Sequence, residues 1–265
     1  MDCSLEYTLS PIELRQKIRD GEHTQHTSGF CEGFVQCNMM ILPSDWAADF
    51  HQFCRLNPKP CPLIAVSEPG DFRMPAVGDD IDIRRDLPAY RVFENGVFKS
   101  QVNHIADLWR DDLVVFLIGC SFSFEEALLA DGLEVRNVTE GVNVPMYRTD
   151  IDCHSAGPFA GKMVVSMRPY TETEMPRVRQ ICSRFPSVHG EPIHFGNPQD
   201  IGIQSIEQPD YGEAVTIRPG EQPAFWACGV TPQVALENAQ PPFCITHSPG
   251  CMLVTDLQNR DLAVP

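Results

Sequence analysis

The pattern of strand and helix signals predicts a mixed α/β (α+β) chain. A central mixed sheet is flanked by helices, and a strand-rich second half packs on it as an intimate subdomain. Three observations carry this expectation. Leu113-Val114-Val115-Phe116-Leu117-Ile118 is apolar on both faces, as a central strand covered by helices is. Capped helix signals alternate with strand candidates up to about Tyr147. Beyond Tyr147–Gly157, short strand candidates alternate with proline- and glycine-rich turns. The chain is read as one domain, 1–265, whose halves (about 1–147 and 148–265) are packed subdomains rather than separable units.

The elements follow in order. Ser10-Pro11-Ile12-Glu13 has an N-cap serine, proline at the first helical position and glutamate three residues after the cap. It predicts a helix over Ile12–Asp20, closed by Gly21. Ser44 or Asp45 is expected to cap a helix from about Trp46 to Cys54, with Trp46, Phe50 and Phe53 at near-helical spacing. Pro58, Pro60 and Pro62 end it, because proline forbids regular helix and restricts the residue before it. Leu63–Val66 reads as a buried strand, Asp79–Pro88 as a charged loop, and Ala89–Val97 as a strand with a turn at Asn95-Gly96. His104–Arg110 reads as a short helix. Ser123 and Glu126 suggest a capping box for a helix over Phe124–Asp131. In the second half, strands are expected near Lys162–Met167, Ile201–Ile203, Ala214–Ile217, Ala224–Ala227 and Met252–Thr255. Helices are expected from about Met175 to Arg184 and over Thr231–Asn238.

Composition narrows the function classes. The chain has 265 residues, 20 basic and 36 acidic side chains, and a formal charge of −16. Nucleic-acid binding needs clustered lysine and arginine, so no nucleic-acid partner is expected. The longest strongly apolar run, Leu113–Cys120, falls far short of the roughly 20 residues that span a bilayer, so no membrane partner is expected. Met1–Tyr7 lacks the basic start and apolar stretch of a signal peptide. The 11 cysteines form no CxxC motif and are odd in number, which points to reduced thiols in a cytoplasmic protein. Many apolar loops make a homodimer a candidate assembly.

Two segments repeat one device. Strand, Gly119-Cys120-Ser121-Phe122-Ser123 and helix follow one another, and so do strand, Cys228-Gly229-Val230-Thr231-Pro232 and helix. A helix N-terminus offers free N–H groups and a positive dipole end, which suit a carboxylate or phosphate. Cys120, Ser121, Ser123, Cys228, Gly229 and Thr231 would line such a site, with Thr231 able to cap its helix. A cysteine there can have a lowered pKa and act as a nucleophile; the alternative is a packed cysteine beside an ordinary cap. Arg168, after a strand, and Arg84 can clamp a carboxylate through paired hydrogen bonds, or can be structural ion pairs with nearby acids. His247, in Thr246-His247-Ser248-Pro249-Gly250, is a candidate general acid or base, or a backbone hydrogen-bonder. No histidine spacing forms a metal motif, so no metal or cofactor is expected, although a divalent metal near the histidines stays open.

These segments also carry a resemblance. Asn57-Pro58-Lys59-Pro60-Cys61-Pro62-Leu63, Asp82-Ile83-Arg84, Ile118-Gly119-Cys120-Ser121-Phe122-Ser123-Phe124-Glu125, Val144-Pro145-Met146-Tyr147, Ser166-Met167-Arg168-Pro169, Phe225-Trp226-Ala227-Cys228-Gly229-Val230-Thr231-Pro232-Gln233 and Thr246-His247-Ser248-Pro249-Gly250 resemble the D-glutamate cyclase family. The likeness runs from about Gly29 to Asp256. It implies a hydro-lyase acting on a small carboxylate, with cyclisation of D-glutamate to 5-oxo-D-proline as the best-defined activity. That activity is implied for longer relatives with an additional C-terminal domain, which is not expected in a chain ending at Pro265. Two positions depart from the family pattern: Arg85 where a small polar residue is expected, and Asn197 where aspartate is. On this reading Cys120, Ser121 and the 229–231 turn form the pocket, Arg168 clamps and His247 moves the proton. The alternatives are a non-catalytic module binding carboxylates or amino acids, and a metal-dependent hydratase.

Overall fold

The computed structural model describes residues 9–264. The Met1–Tyr7 stretch read for a targeting signal lies outside the described residues. In chain order the elements are α1 (Pro11–Arg19), β1 (Phe34–Pro43), α2 (Ser44–Leu56), β2 (Leu63–Val66), β3 (Tyr90–Glu94), β4 (Val97–Val102), β5 (Leu113–Gly119), α3 (Phe122–Ala130), α4 (Arg136–Glu140), β6 (Met146–Asp152), β7 (Lys162–Thr171), α5 (Met175–Cys182), β8 (His194–Phe195), β9 (Glu221–Ala227), α6 (Thr231–Ala239), β10 (Cys244–His247) and β11 (Leu253–Gln258).

The mixed α/β class is as expected, but the central sheet is not the mixed one expected: the strand pairings are antiparallel throughout both sheets. The first sheet runs β2-β5-β1-β10-β3-β4, with β11 also on β1. The second runs β6-β7-β9-β8. The first sheet therefore takes strands from both ends of the chain. β10 pairs with β1 at Met40 and Ile41, and β11 pairs with the same edge at Phe34–Cys37. The edge forks at Asn38 and Met39.

Alternation along β1 and β5 builds two cores. Met39, Ile41, Leu113, Val115 and Leu117 face a loop layer carrying Met74, Ile81, Ile83 and Leu87. Met40, Leu42, Val114, Phe116 and Ile118 face α2 and α6, where Phe50, Phe53 and Leu236 pack. Phe50 and Phe53 are fully buried, each worth about 1.5–3 kcal/mol. A third core joins the sheets: α3 and α5 pack Phe124, Leu128, Val178 and Cys182 around Trp226 of β9.

The α1 capping box forms as expected, with Ser10 N–H donating to Glu13 Oε2 at 2.9 Å. The β3–β4 hairpin turns at Asn95-Gly96. Several expectations are corrected. α2 starts directly after Pro43, with no side-chain cap from Ser44 or Asp45. Leu63–Val66 is a strand, but on the sheet edge and only partly buried. The 104–110 segment makes only a 3-10 turn at Ala106–Leu108. Ile201 ends a 3-10 turn, Pro198–Ile201, and residues 202–203 leave it without forming a strand. The 214–217 segment is irregular because α4 satisfies its backbone: Thr216 N–H donates to Glu140 at 3.2 Å, and Arg136 Nη1 donates to Thr216 O at 2.5 Å. The expected Ser123–Glu126 capping box does not form. α3 begins after Ser121, and both side chains bond Asn259 instead.

Candidate active site

The two strand-to-helix turns meet where the sheets adjoin. β5 ends at Gly119 and is followed by Cys120 and Ser121, while β9 ends at Ala227 and is followed by Cys228 and Gly229. Asn38, at the fork of β1, touches both turns. Its Nδ2 donates to Gly119 O at 3.2 Å, and a Cβ placed on Gly229 would lie 2.6 Å from the same atom. Glycine at 229 is thus set by close approach. Gly119 is equally confined, since a Cβ there would run into Ser187 O.

Cys120 and Cys228 keep partial exposure, unlike the other cysteines of the described residues. Burial raises the Cys120 pKa to about 12, against the lowering effect of the Phe122 N–H; the charges of Glu125 and Cys228 push it further up. Burial also raises Cys228, against N–H groups of Val230 and Gly229 and the charge of Arg168. The two thiols are therefore neighbours in the electrostatic sense. Both are protonated at neutral pH, which overturns the expectation of a low-pKa nucleophile at Cys120: burial outweighs the helix N-terminus.

Beneath the turns lies an ion pair. Arg168 is fully buried on β7, and its Nη2 and Nε atoms donate to Glu125 Oε1. Nη1 donates to Ser166 Oγ at 2.9 Å and Nη2 to Ser121 Oγ at 3.1 Å. Ser121 Oγ in turn donates to Glu125 Oε1 at 3.1 Å. The guanidinium lies beside the stacked Phe124 and Trp226 rings, 5.1 and 5.2 Å from their centroids. Burial works against the charge on Arg168, and Glu125 more than offsets it. Arg168 is accordingly corrected from a substrate clamp to a residue that positions the Cys120–Ser121 turn.

The other expected site residues separate from this junction. His247 is buried, and its Nδ1 accepts from Met39 N–H at 3.2 Å, filling the fork in β1. Burial lowers its pKa to about 4, so it is neutral near pH 7 and is corrected from acid/base to a strand-fork support. Ser123 Oγ donates to Asn259 Oδ1 at 2.6 Å, which anchors α3 rather than facing a ligand. Thr231 neither caps α6 nor lines the turn. Its Oγ1 accepts from Val164 N–H at 3.0 Å and donates to Val164 O at 3.2 Å, tying α6 to β7. Arg84 pairs with Asp82, two contacts of 2.8 Å, and stacks 3.4 Å from the Phe72 ring centroid, as a structural arginine does. Cys120, Ser121, Cys228 and Gly229 are brought together.

Sequence reasoning missed Asn38, Glu125 and Ser166, while His189, before Gly190, is one of the turn histidines the sequence offers as a general acid or base. Asn38 had a signal, being polar inside the apolar run Cys37–Leu42. Glu125 sits one helical turn from Ser121, the spacing at which side chains meet. His189 adopts φ 83°, and its Nδ1 lies 2.7 Å from Lys59 O. Burial lowers its pKa to about 4, and backbone contacts with Lys59 and Gly119 place the ring behind the β5 turn. Among the described residues, no group of three or more His, Cys, Asp or Glu is arranged to hold a metal ion, and no helix is long and apolar enough to cross a membrane.

Comparison with known proteins gives these features a context. The D-glutamate cyclase family model matches residues 114–256, from within β5 to within β11, and so contains both turns. The chain is 58% identical to "Putative hydro-lyase Bpet2233" of Bordetella petrii, covering 94% of this chain and 95% of that one. It is 56% identical to "Putative hydro-lyase RL2444" of Rhizobium johnstonii over 96% and 94%, and 53% identical to "Putative hydro-lyase VSAL_I1435" of Aliivibrio salmonicida over 98% and 100%. Among solved structures, a nitrogen repressor-like protein of Methanococcus jannaschii aligns over 89% of this chain and 91% of that one, with a TM-score of 0.38 and 9% identity, too weak to carry an argument. With the family match spanning more than half of its length and relatives above 50% identity over nearly all of it, this chain belongs to the D-glutamate cyclase family.

Proposed function

We propose that the protein is a hydro-lyase that removes water from a small carboxylate, with cyclisation of D-glutamate to 5-oxo-D-proline as the reaction. The observation that carries the reading is the meeting of two strand-to-helix turns, each presenting a protonated, partly exposed thiol, with the Asn38 amide against both.

The chemistry of the cyclisation is balanced. The ammonium of D-glutamate gives up two protons and its nitrogen attacks the distal carboxyl carbon. The C–N bond forms, one C–O bond breaks, and that oxygen leaves with the two protons as water. The site must hold the chain folded so that nitrogen and carbon are in contact, which turns the reaction into a positioning problem. It must also stabilise charge on the carboxyl oxygen, a task for N–H groups aimed from helix N-termini and for the Asn38 amide. A protonated Cys120 or Cys228 gives a proton to the departing oxygen and recovers one from the amine. The Arg168–Glu125–Ser121 network fixes the Cys120 turn and takes no direct part. The substrate carboxylate is a small-molecule partner, and no cofactor enters any step.

The test is incubation of the protein with D-glutamate, L-glutamate and 5-oxoproline, followed by chiral product analysis. Formation of 5-oxo-D-proline from D-glutamate is expected, with Cys120→Ala and Cys228→Ala lowering kcat by 100-fold or more, the scale of a lost acid–base group. No product in either direction would refute the reading.

A further inference from the structure

The cysteines of the described residues are of two kinds. Cys120 and Cys228 are partly exposed, and the others are buried. Cys54 and Cys61, a buried pair, are hydrogen-bonded to each other. Cys120 instead accepts from the Phe122 N–H and bonds Ser121, and it feels Cys228 through charge. Cys228 accepts from the N–H groups of Val230 and Gly229.

The two thiols also come from different sheets. Cys120 follows β5 of the first sheet and Cys228 follows β9 of the second. Both turns bear on one amide nitrogen: Asn38 Nδ2 donates to Gly119 O at 3.2 Å, and a Cβ on Gly229 would lie 2.6 Å from it. A carbon served by two thiols needs each sulfur about 3–3.5 Å away, so the sulfurs stand roughly 6–7 Å apart. Such a gap is wider than a disulfide or a hydrogen bond, yet within the roughly 8–10 Å over which charges are felt in salt solution. Cys120 and Cys228 fit that description, both free and coupled through charge.

The pair is nearly equivalent as well. Each cysteine precedes a nine-residue helix, α3 or α6, and each sulfur accepts from N–H groups of its own turn, which favours a thiolate. Arg168 serves both sides. It donates to Ser121 Oγ, beside Cys120, at 3.1 Å, and its charge favours the Cys228 thiolate. Burial outweighs these effects, so the resting pair is a dithiol. Loss of one proton to solvent gives a thiol–thiolate pair. Cyclisation calls for one acid–base group. A matched pair suits inversion of a carbon, where the two hands of a substrate present their hydrogens to opposite sides.

We propose that Cys120 and Cys228 invert the α-carbon of glutamate, interconverting its L and D forms as a two-base pair. One thiolate takes the α-hydrogen as a proton. The electrons of that C–H bond pass into the α-carboxylate as an enediolate, whose charge meets the N–H groups of the two turns and the Asn38 amide. The opposite thiol gives its proton to the other face, the C–H bond re-forms from the enediolate electrons, and a thiolate remains on that side. Nothing is oxidised or reduced, and the pair is left ready with its roles exchanged. This rests on the cyclase reading for the identity of the substrate, and it makes the D form that cyclisation consumes.

The test is incubation of the whole protein with L-glutamate and with D-glutamate in heavy water. Chiral chromatography reads inversion, mass spectrometry of each separated enantiomer reads deuterium at the α-carbon, and 5-oxoproline reads cyclisation. Inversion is expected. At low conversion, deuterium should appear in the newly formed enantiomer, or in 5-oxo-D-proline made from it, while the recovered starting enantiomer keeps its hydrogen. Cys120→Ser and Cys228→Ser should each lower inversion by 100-fold or more. The isotope pattern is read on the wild type and holds whether or not the variants fold. Deuterium in both enantiomers at low conversion would mark a single base and overturn the pair. Absence of inversion, or wild-type inversion in either folded variant, would overturn it too. Deuterated D-glutamate from L-glutamate without 5-oxoproline would sink the cyclase reading and leave the pair standing. Formation of 5-oxo-D-proline from D-glutamate alone, with its α-hydrogen retained and L-glutamate untouched, would do the reverse.

Discussion

Replacing Arg168 with methionine separates a substrate clamp from a positioning residue. The side chain is fully buried and Glu125 beside it is 5% exposed, so removing the guanidinium strands a carboxylate with no water to solvate it. Breaking a buried pair from one side typically costs about 3–5 kcal/mol. Ser121 and Ser166 lose an arginine donor as well. In a chain of this size each kcal/mol moves Tm by about 2–4 °C, so Arg168→Met should melt roughly 6–20 °C below wild type. Removing both charges, as Arg168→Met with Glu125→Leu, should recover most of that loss, because the stranded carboxylate goes too. Thermal melts followed by circular dichroism, with urea titrations to check that the transition stays two-state, measure both effects. A single variant within about 2 °C of wild type, or a double variant as unstable as the single, would refute the reasoning and return Arg168 to a role at the ligand.

Four further outcomes follow from the geometry. Cys120, with its pKa at about 12 against 9.0 for an ordinary thiol, carries roughly a thousandfold less thiolate, so disulfide exchange with a thiol reagent at pH 8 should be slow in the folded protein and fast in urea; rapid modification of the native form would contradict the raised pKa. His189 and His247, both lowered from 6.5 to about 4, bind fewer protons folded than unfolded between those values. Their contribution to stability is therefore complete above pH 6.5 and is lost as pH falls toward 4, so Tm should drop between pH 7 and 5 and drop less in His247→Asn; a flat profile would count against it. Gly229→Ala forces a Cβ against the Asn38 amide and should cost about 1–3 kcal/mol in urea unfolding, an effect that Asn38→Ala should relieve. Thr231→Val leaves the Val164 N–H without its side-chain partner and should cost about 1–3 kcal/mol, and an unchanged midpoint would show that the two hydrogen bonds contribute nothing.

What the sequence made legible was local. The capping box at Ser10–Glu13, the Asn95-Gly96 hairpin and the doubly apolar β5 each depend on a few neighbouring residues, and each formed. The repeated strand, glycine-cysteine turn and helix device was legible for the same reason, whereas the meeting of its two copies is a contact across more than 100 positions. What failed depended on partners far along the chain. Thr231 and Ser123 looked like caps because cap signals are local, but Val164 and Asn259 offered them better hydrogen bonds. Val215 and Ile217 looked like a strand, yet they only pack on the second sheet while α4 takes up the backbone at Thr216. Arg168 and Arg91 are indistinguishable as isolated arginines after or within strands. Only the fold shows that Arg168 meets Glu125 while Arg91, among the described residues, meets aromatic rings.

The forked edge of β1 has a kinetic consequence. The strand is made early, at residues 34–43, but its open edge is filled by residues 244–258, more than 200 positions later. Until residues 244–258 leave the ribosome, β1 presents an unpaired edge of apolar sequence, the kind of surface on which nascent chains associate wrongly. Pairings of such separation also slow folding, because the loop must close before any contact rewards it. Completion of the first sheet therefore waits on residues 244–258, whichever of its other strands pair earlier.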